Sequence, residues 1–208
     1  MNNLILLGTI IVLHLLAAVS PGPDFLMAAR NSLTYSRKTG VWTAVGFGSG
    51  IAVHIFYCVL GLAVLISKSI VLFNAIKFFG AFYLIYLGVK SILARSSRLE
   101  IGQQTKKPDI SAFAAWRMGF LTNVLNPKAT LFFLGLFTFV VSPQTPWSVT
   151  AASSFFMILD TVLWFSLVAV FFTNSKISNV FSRFQGLFNK FFGGLLILVG
   201  AKVALSHK

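Results

Sequence analysis

The chain has 208 residues, 57% hydrophobic and only 10% charged, with a mean hydropathy of +0.86. Soluble domains carry about 25% charged residues, so this balance excludes a soluble core and indicates a one-domain membrane protein. The formal charge of +13 does not read as nucleic-acid binding, because the basic residues sit between apolar runs and not along one face.

Taken in chain order, the apolar windows predict an all-α polytopic membrane protein with six transmembrane helices at about 4–35, 41–66, 70–93, 112–141, 147–173 and 187–205. Met1-Asn2-Asn3 carries no positive side chain and no small-x-small site follows, so the first run reads as a retained helix and not a cleaved leader. That run is interrupted at Ser20-Pro21-Gly22-Pro23-Asp24. Two prolines remove two backbone donors and free the carbonyls of Ala17 and Val19. In hydrocarbon an unpartnered carbonyl costs several kcal/mol, so broken backbone is tolerated only against protein or a wet cavity. The same residues read as a helix start, with Ser20 as cap and Pro21 at the first helical position. Asp24 then lies at the positive end of a half-helix, either as a functional carboxylate or as a capping acid at the membrane surface.

Lys and Arg set the orientation. Twelve of them fall at the junctions 30–41, 90–117 and 176–190, against four (Lys68, Lys77, Lys202 and Lys208) on the other side. This places the first set in the cytoplasm and both termini outside. The stretch 94–111, with Glu100 and Asp109, reads as a solvated cytoplasmic linker.

The two sides of that linker repeat. Leu72-Phe73-Asn74 followed by Lys77-Phe78-Phe79-Gly80 returns as Leu187-Phe188-Asn189 followed by Lys190-Phe191-Phe192-Gly193. Ser67-Lys68 returns as Ser175-Lys176, and Gly88-Val89-Lys90 as Gly200-Ala201-Lys202. Three spans per half is an odd number, so the second half enters the membrane inverted, as in many secondary transporters. The organisation expected is repeat 1 at about 1–93, the linker, and repeat 2 at about 112–208.

The repeat predicts a second break in the fourth span, and Asn126-Pro127-Lys128 supplies it, with Asn126 as cap and Pro127 at the first helical position. Pro127 also frees the carbonyl of Asn123. The second and fifth spans each carry one ionisable residue near the middle, His54 and Asp160. An intramembrane Asp is costly, so Asp160 should face the interior with a partner. His54 reads equally as a hydrogen-bonded contact between helices, and His14 as a helix contact. Gly46 and Gly50 form a small-xxx-small pair, for packing within the monomer or for a homodimer. Trp42, Trp116 and Trp147 lie near span ends as interfacial anchors, and the Phe-rich faces read as lipid contact. Cys58 is the one cysteine and lies in an apolar segment, so no intrachain disulfide or redox motif exists.

Pro21-Gly22-Pro23-Asp24, the stretch from Gly46 to His54, Gly80 through Gly88, and Gly119 through Lys128 resemble the LysE/RhtB family of amino-acid exporters. Asp160-Thr161-Val162-Leu163-Trp164 is similar to an acidic-x-x-x-Trp stretch of its fifth span. The resemblance covers nearly the whole chain and leans toward the threonine/homoserine branch. It implies a bacterial inner-membrane carrier, not an enzyme, that exports amino acids on the proton gradient and takes no cofactor. An amino-acid zwitterion needs one anionic and one cationic partner. The substrate candidates are Ser20, Pro21, Gly22, Pro23, Asp24, Asn123, Asn126, Pro127 and Lys128. Asp24 would receive the ammonium, and the half-helix N-termini with Lys128 the carboxylate; alternatively, Asp24 and Lys128 pair with each other until substrate arrives. Asp160, Asp24 and His54 are the proton-coupling candidates, Asp160 first.

Two rivals are weaker. A divalent-metal or other small-solute exporter would need clustered hard or imidazole ligands, and the chain has four acidic residues, two of them in the linker. An intramembrane enzyme would need a nucleophile motif, an HExxH or facing aspartates, and none is present.

Overall fold

Proline, glycine and polar clusters decide where the helices stop. The computed structural model describes residues 3–20, 22–93, 107–140, 145–172 and 175–205. Among them the elements are α1 (Asn3–Val19), α2 (Pro23–Thr34), α3 (Arg37–Lys68), α4 (Ile70–Leu93), α5 (Ala112–Val124), α6 (Pro127–Val140), α7 (Trp147–Phe172) and α8 (Ser175–Leu205). The described residues contain no strand. Among the described residues three helices are long and apolar enough to cross a membrane, or up to five spans if each bent pair counts as one. The bent pairs are α1 with α2 and α5 with α6, each turning by 58°.

Local chemistry accounts for the boundaries. Ser111 caps α5 by accepting from the Ala114 N–H at 3.1 Å. Asn126 caps α6 as the sequence predicts, its Oδ1 accepting from the Lys128 N–H at 3.0 Å, with Pro127 at the first position. At the other break the expected cap moves. Gly22, not Ser20, is the N-cap of α2, and Pro23, not Pro21, opens the helix. Either proline could serve at a first turn, so the local sequence leaves the choice open. Pro21 itself lies outside the described residues. The consequence is that Asp24 and Lys128 hold the same place, second residue of a half-helix that starts with proline.

α8 starts twelve residues before the expected 187. Ile177, Val180, Phe181 and Phe184 keep helical spacing through this part. Lys176 and Arg183 lower its hydropathy and hide it from a window for membrane spans. The linker residues 94–106, Glu100 included, lie outside the described residues. Its end is not merely solvated: Asp109 accepts from Ser36 Oγ at 2.9 Å and Thr39 Oγ1 at 3.1 Å, and Lys107 N–H donates to Thr34 O at 2.7 Å. These bonds lay the linker end across the corner between α2 and α3.

Helix packing runs through small residues. α3 and α5 run parallel with Gly46 against Gly119; a Cβ on Gly46 would collide with the Trp116 carbonyl, and one on Gly119 with that of Thr43. The glycine face of α3 is therefore used inside the monomer, where it lets two backbones touch. α4 and α8 run antiparallel. A Cβ on Gly88 would lie 2.5 Å from the Gly193 carbonyl oxygen, and one on Gly193 the same distance from that of Gly88. Ser91 Oγ donates to Asn189 O at 2.9 Å in the same seam.

α6 sits at the centre. Its Phe132, Phe133, Leu136 and Phe137 are buried against residues of α1, α3, α4, α7 and α8. A second cluster joins Phe25 and Ala28 of α2 to Phe47 of α3 and Phe165 of α7, the last two rings edge-on at 4.9 Å. Outward-facing large apolar side chains such as Phe56, Phe79, Phe82 and Phe155 cover the exterior, an unusual surface for a protein in water. Trp42 and Trp147 are exposed. Trp116 is half-buried, and its Nε1–H donates to Ser49 Oγ at 3.0 Å on the neighbouring helix.

Candidate substrate site between the two broken helices

A helix that stops inside a protein leaves carbonyls at one end and N–H groups at the next start. Here both breaks open onto one cavity of about 50 Å³. A single water takes about 10–15 Å³ on such a scale, so the space holds a few water-sized groups. Ala17, Ser20, Gly22 and Asp24 line it from the first break; Asn123, Asn126 and Lys128 line it from the second.

Of the carbonyls expected to be free, Ala17 O finds a donor in the opposite half of the chain together with Ser20 O, not Val19 O, and Asn123 O accepts from the Asn126 N–H at 3.0 Å besides a cross-chain partner. Lys128 of α6 reaches across to the first break, its Nζ donating to Ser20 O at 2.6 Å and Ala17 O at 3.1 Å. A Cβ on Gly22 would stand 3.2 Å from the Lys128 stem, so glycine gives that stem its path. His54 of α3 serves the second break, its Nε2 lying 3.0 Å from Asn123 O. A carbonyl only accepts, so Nε2 carries the proton, and in the neutral ring Nδ1 accepts from Tyr57 Oη at 2.7 Å. The ring also stacks flat on Phe133, at 5.5 Å between centroids. Each half thus braces the break of the other with a nitrogen-bearing side chain.

The carboxylate is differently placed. Asp24 Oδ2 accepts from Asn123 Nδ2 at 2.8 Å. Its Oδ1, and the Oδ1 of Asn123, are buried without a hydrogen-bond partner. Asn123 Oδ1 is turned toward Gly50 of α3, so it is the unpartnered carboxyl oxygen of Asp24, on a wall of the cavity, that describes a receptor for a group bringing N–H bonds. Lys128 supplies the cationic side of the same cavity while bound to carbonyls, not to Asp24.

His14, Phe25, Ile51, Phe132, Phe133, Thr161 and Phe165 complete the wall, and the sequence pattern alone singled out none of them as substrate-facing. The apolar members looked like any core residues. His14 carried the same signal as His54, an ionisable group inside an apolar span. Its Nδ1 lies 2.8 Å from Asp160 Oδ1, which gives Asp160 the interior partner that burial demands. His54 and Asp160 do not line the cavity directly; they stand behind Phe133 and His14. Pro23 and Pro127 are exposed on their outer sides. Among the described residues no three His, Cys, Asp or Glu side chains come together as a metal site would need.

Known proteins give the same context. The family model of LysE type translocators matches residues 15–207. An uncharacterized membrane protein of Bacillus subtilis is 32% identical over 90% of this chain and 93% of its own. The threonine efflux protein of Escherichia coli K12 is 26% identical over 98% of this chain and its own full length. The leucine efflux protein of Salmonella choleraesuis is 32% identical over 68% of this chain and 65% of its own. No solved structure gives a match. With the family model covering nearly all of it, the chain belongs to the LysE type translocators.

Proposed function

We propose that this chain is a proton-coupled exporter of small neutral amino acids, threonine among them, in the bacterial inner membrane. The observation that carries the reading is the Asp24 carboxyl group, its Oδ1 unpartnered and its Oδ2 held by Asn123 Nδ2, in a cavity that also contains Lys128. An α-ammonium supplies donors for that carboxyl group. The carboxylate lies toward Lys128 and the start of α6, where the helix dipole and the remaining ammonium proton favour an anion. Ile51, Phe132 and Phe165 then meet the side chain, and the small space suits a short one. The family and the threonine- and leucine-efflux relatives support the substrate class.

The architecture in this reading is one domain of six spans in two inverted repeats, with α8 as the sixth and both termini outside. The antiparallel α4–α8 seam and the parallel α3–α5 seam are what such an arrangement requires, since equivalent helices of inverted halves run oppositely. Substrate enters while the cytoplasmic side is open and leaves after the half-helices α2 and α6 tilt about their proline starts. Proton binding drives the return, with Asp160, Asp24 and His54 as the ionisable groups available. The apolar exterior contacts lipid.

The test is efflux. Cells fed a threonine-containing dipeptide should release threonine faster with the protein than without it, and Asp24→Asn should abolish the difference. Equal efflux of every amino acid tested, with and without the protein, would reject the reading.

A further inference from the structure

A buried carboxylate and a buried imidazole that touch across two halves of a translocator are an uncommon expense inside a membrane. His14 and Asp160 are such a pair, 146 positions apart in sequence and both largely shielded, with side chains 4% and 15% exposed. Their 2.8 Å separation brings a ring nitrogen against a carboxylate oxygen. Two lone pairs at that distance repel, so Nδ1 is the ring nitrogen that carries a proton, in the neutral ring and in the imidazolium alike. Yet the contact is not aligned as a hydrogen bond. His14 Nδ1 and both Asp160 oxygens have no hydrogen-bond partner.

The surroundings isolate this proton from other carriers. Phe132 and Phe133 of α6 pack on the His14 ring at 6.0 and 5.4 Å between centroids. Phe133 separates His14 from His54 of α3, whose two nitrogens are occupied by Asn123 O and Tyr57 Oη. Lys128 of α6 is bound to carbonyls, and Asp24 of α2 to Asn123. Arg30 of α2, Arg37 and Lys38 of α3, and Lys190 and Lys202 of α8 are exposed. His14 alone of the pair faces the cavity, on a wall shared with Asp24.

We propose that His14 and Asp160 form the proton-binding site of the exporter, separate from the substrate site but opening into the same cavity. This rests on the amino-acid reading above and names the group that couples to it. With the proton bound, the pair is an imidazolium beside a carboxylate and is neutral overall. When water enters the cavity, the imidazolium gives its proton to a water molecule as hydronium, leaving neutral His14 beside Asp160. A substrate ammonium at Asp24 and a proton on His14 are like charges on one low-dielectric cavity, so each disfavours the other. Exchange of one for the other follows.

The experiment is proton release on binding, read with a pH dye in weakly buffered detergent solution, with L-threonine as the probe. Wild-type protein should release up to one proton per threonine bound, and its affinity should rise with pH, by at most about tenfold per unit for one competing proton. His14→Gln should still bind threonine, at altered affinity, while release falls to zero and the pH dependence flattens. Asp160→Asn, which keeps the shape of the carboxylate, should behave likewise, and the double variant should resemble either single one. Monodisperse elution of each variant controls for folding. Undiminished proton release in folded His14→Gln overturns the assignment and leaves the export reading intact. Wild-type protein that binds neither threonine nor leucine overturns the export reading, and the proton site with it.

Discussion

Gly50 offers a way to disturb the site without touching it. It lies on α3, outside the cavity lining, and its Cα faces Asn123 so closely that a Cβ would stand 2.5 Å from Oδ1 and 2.8 Å from Cβ of that residue. Comfortable contact begins near 3.4 Å, so Gly50→Ala displaces the Asn123 amide by about 0.9 Å. The backbones cannot separate easily, because Gly46 and Gly119 lock α3 and α5 one turn earlier. The side chain therefore yields. A displacement of that size directed along the Nδ2–Oδ2 line takes their separation from 2.8 to about 3.7 Å, beyond hydrogen-bonding range, and that loss is the predicted outcome. Losing one hydrogen bond to a charged group costs about 1.5–3 kcal/mol, which weakens threonine binding by roughly 10- to 150-fold. Scintillation-proximity binding of labelled threonine to purified protein measures this. Affinity within threefold of wild type, in a variant that folds normally, would refute the claim that Asn123 and Asp24 act as one receptor.

Other variants probe separate parts. Lys128→Met leaves the Ala17 and Ser20 carbonyls without their donor and removes the cation, so threonine should lose its advantage over threoninol, which lacks the carboxylate. A retained preference, measured by competition, would remove Lys128 from substrate recognition. His54→Phe keeps the stack on Phe133 but removes the side-chain donor to Asn123 O, which still accepts from the Asn126 N–H, and the ring acceptor for Tyr57 Oη, at about 0.5–1.5 kcal/mol per lost bond. Its melting temperature in detergent should fall by several degrees; an unchanged value would mean these bonds do not brace the second break. For topology, single cysteines in a Cys58→Ser background should label from the cytoplasm at Ser97 and from outside at Ser206. The reverse pattern would invert the orientation.

Much of this organisation is legible in the chain because membranes penalise irregularity. Prolines inside apolar runs announce the two broken helices. What stayed hidden is what depends on contact between distant residues. Asp24 and Asn123 were each visible, but nothing local says that they meet, or that Lys128 goes to carbonyls instead of to Asp24. The cap at Gly22 was ambiguous because Pro21 and Pro23 each satisfy the first helical turn. The start of α8 was masked by Lys176 and Arg183, which lower hydropathy without breaking helical periodicity. Trp116 sits near a span end, and nothing local says that its indole bonds to Ser49. His14 shows the limit most clearly: its value comes from Asp160, and no spacing along the chain predicts that meeting.

In the proposed mode of binding, the cavity between the two breaks recognises an amino acid by its ammonium at Asp24. The most direct measurement compares threonine with 2,3-dihydroxybutyrate, the same molecule with hydroxyl in place of ammonium, as competitors for labelled threonine. Wild-type protein should prefer threonine strongly, and Asp24→Asn should bind both about equally and weakly. An Asp24→Asn protein that keeps the full preference for threonine would contradict the account.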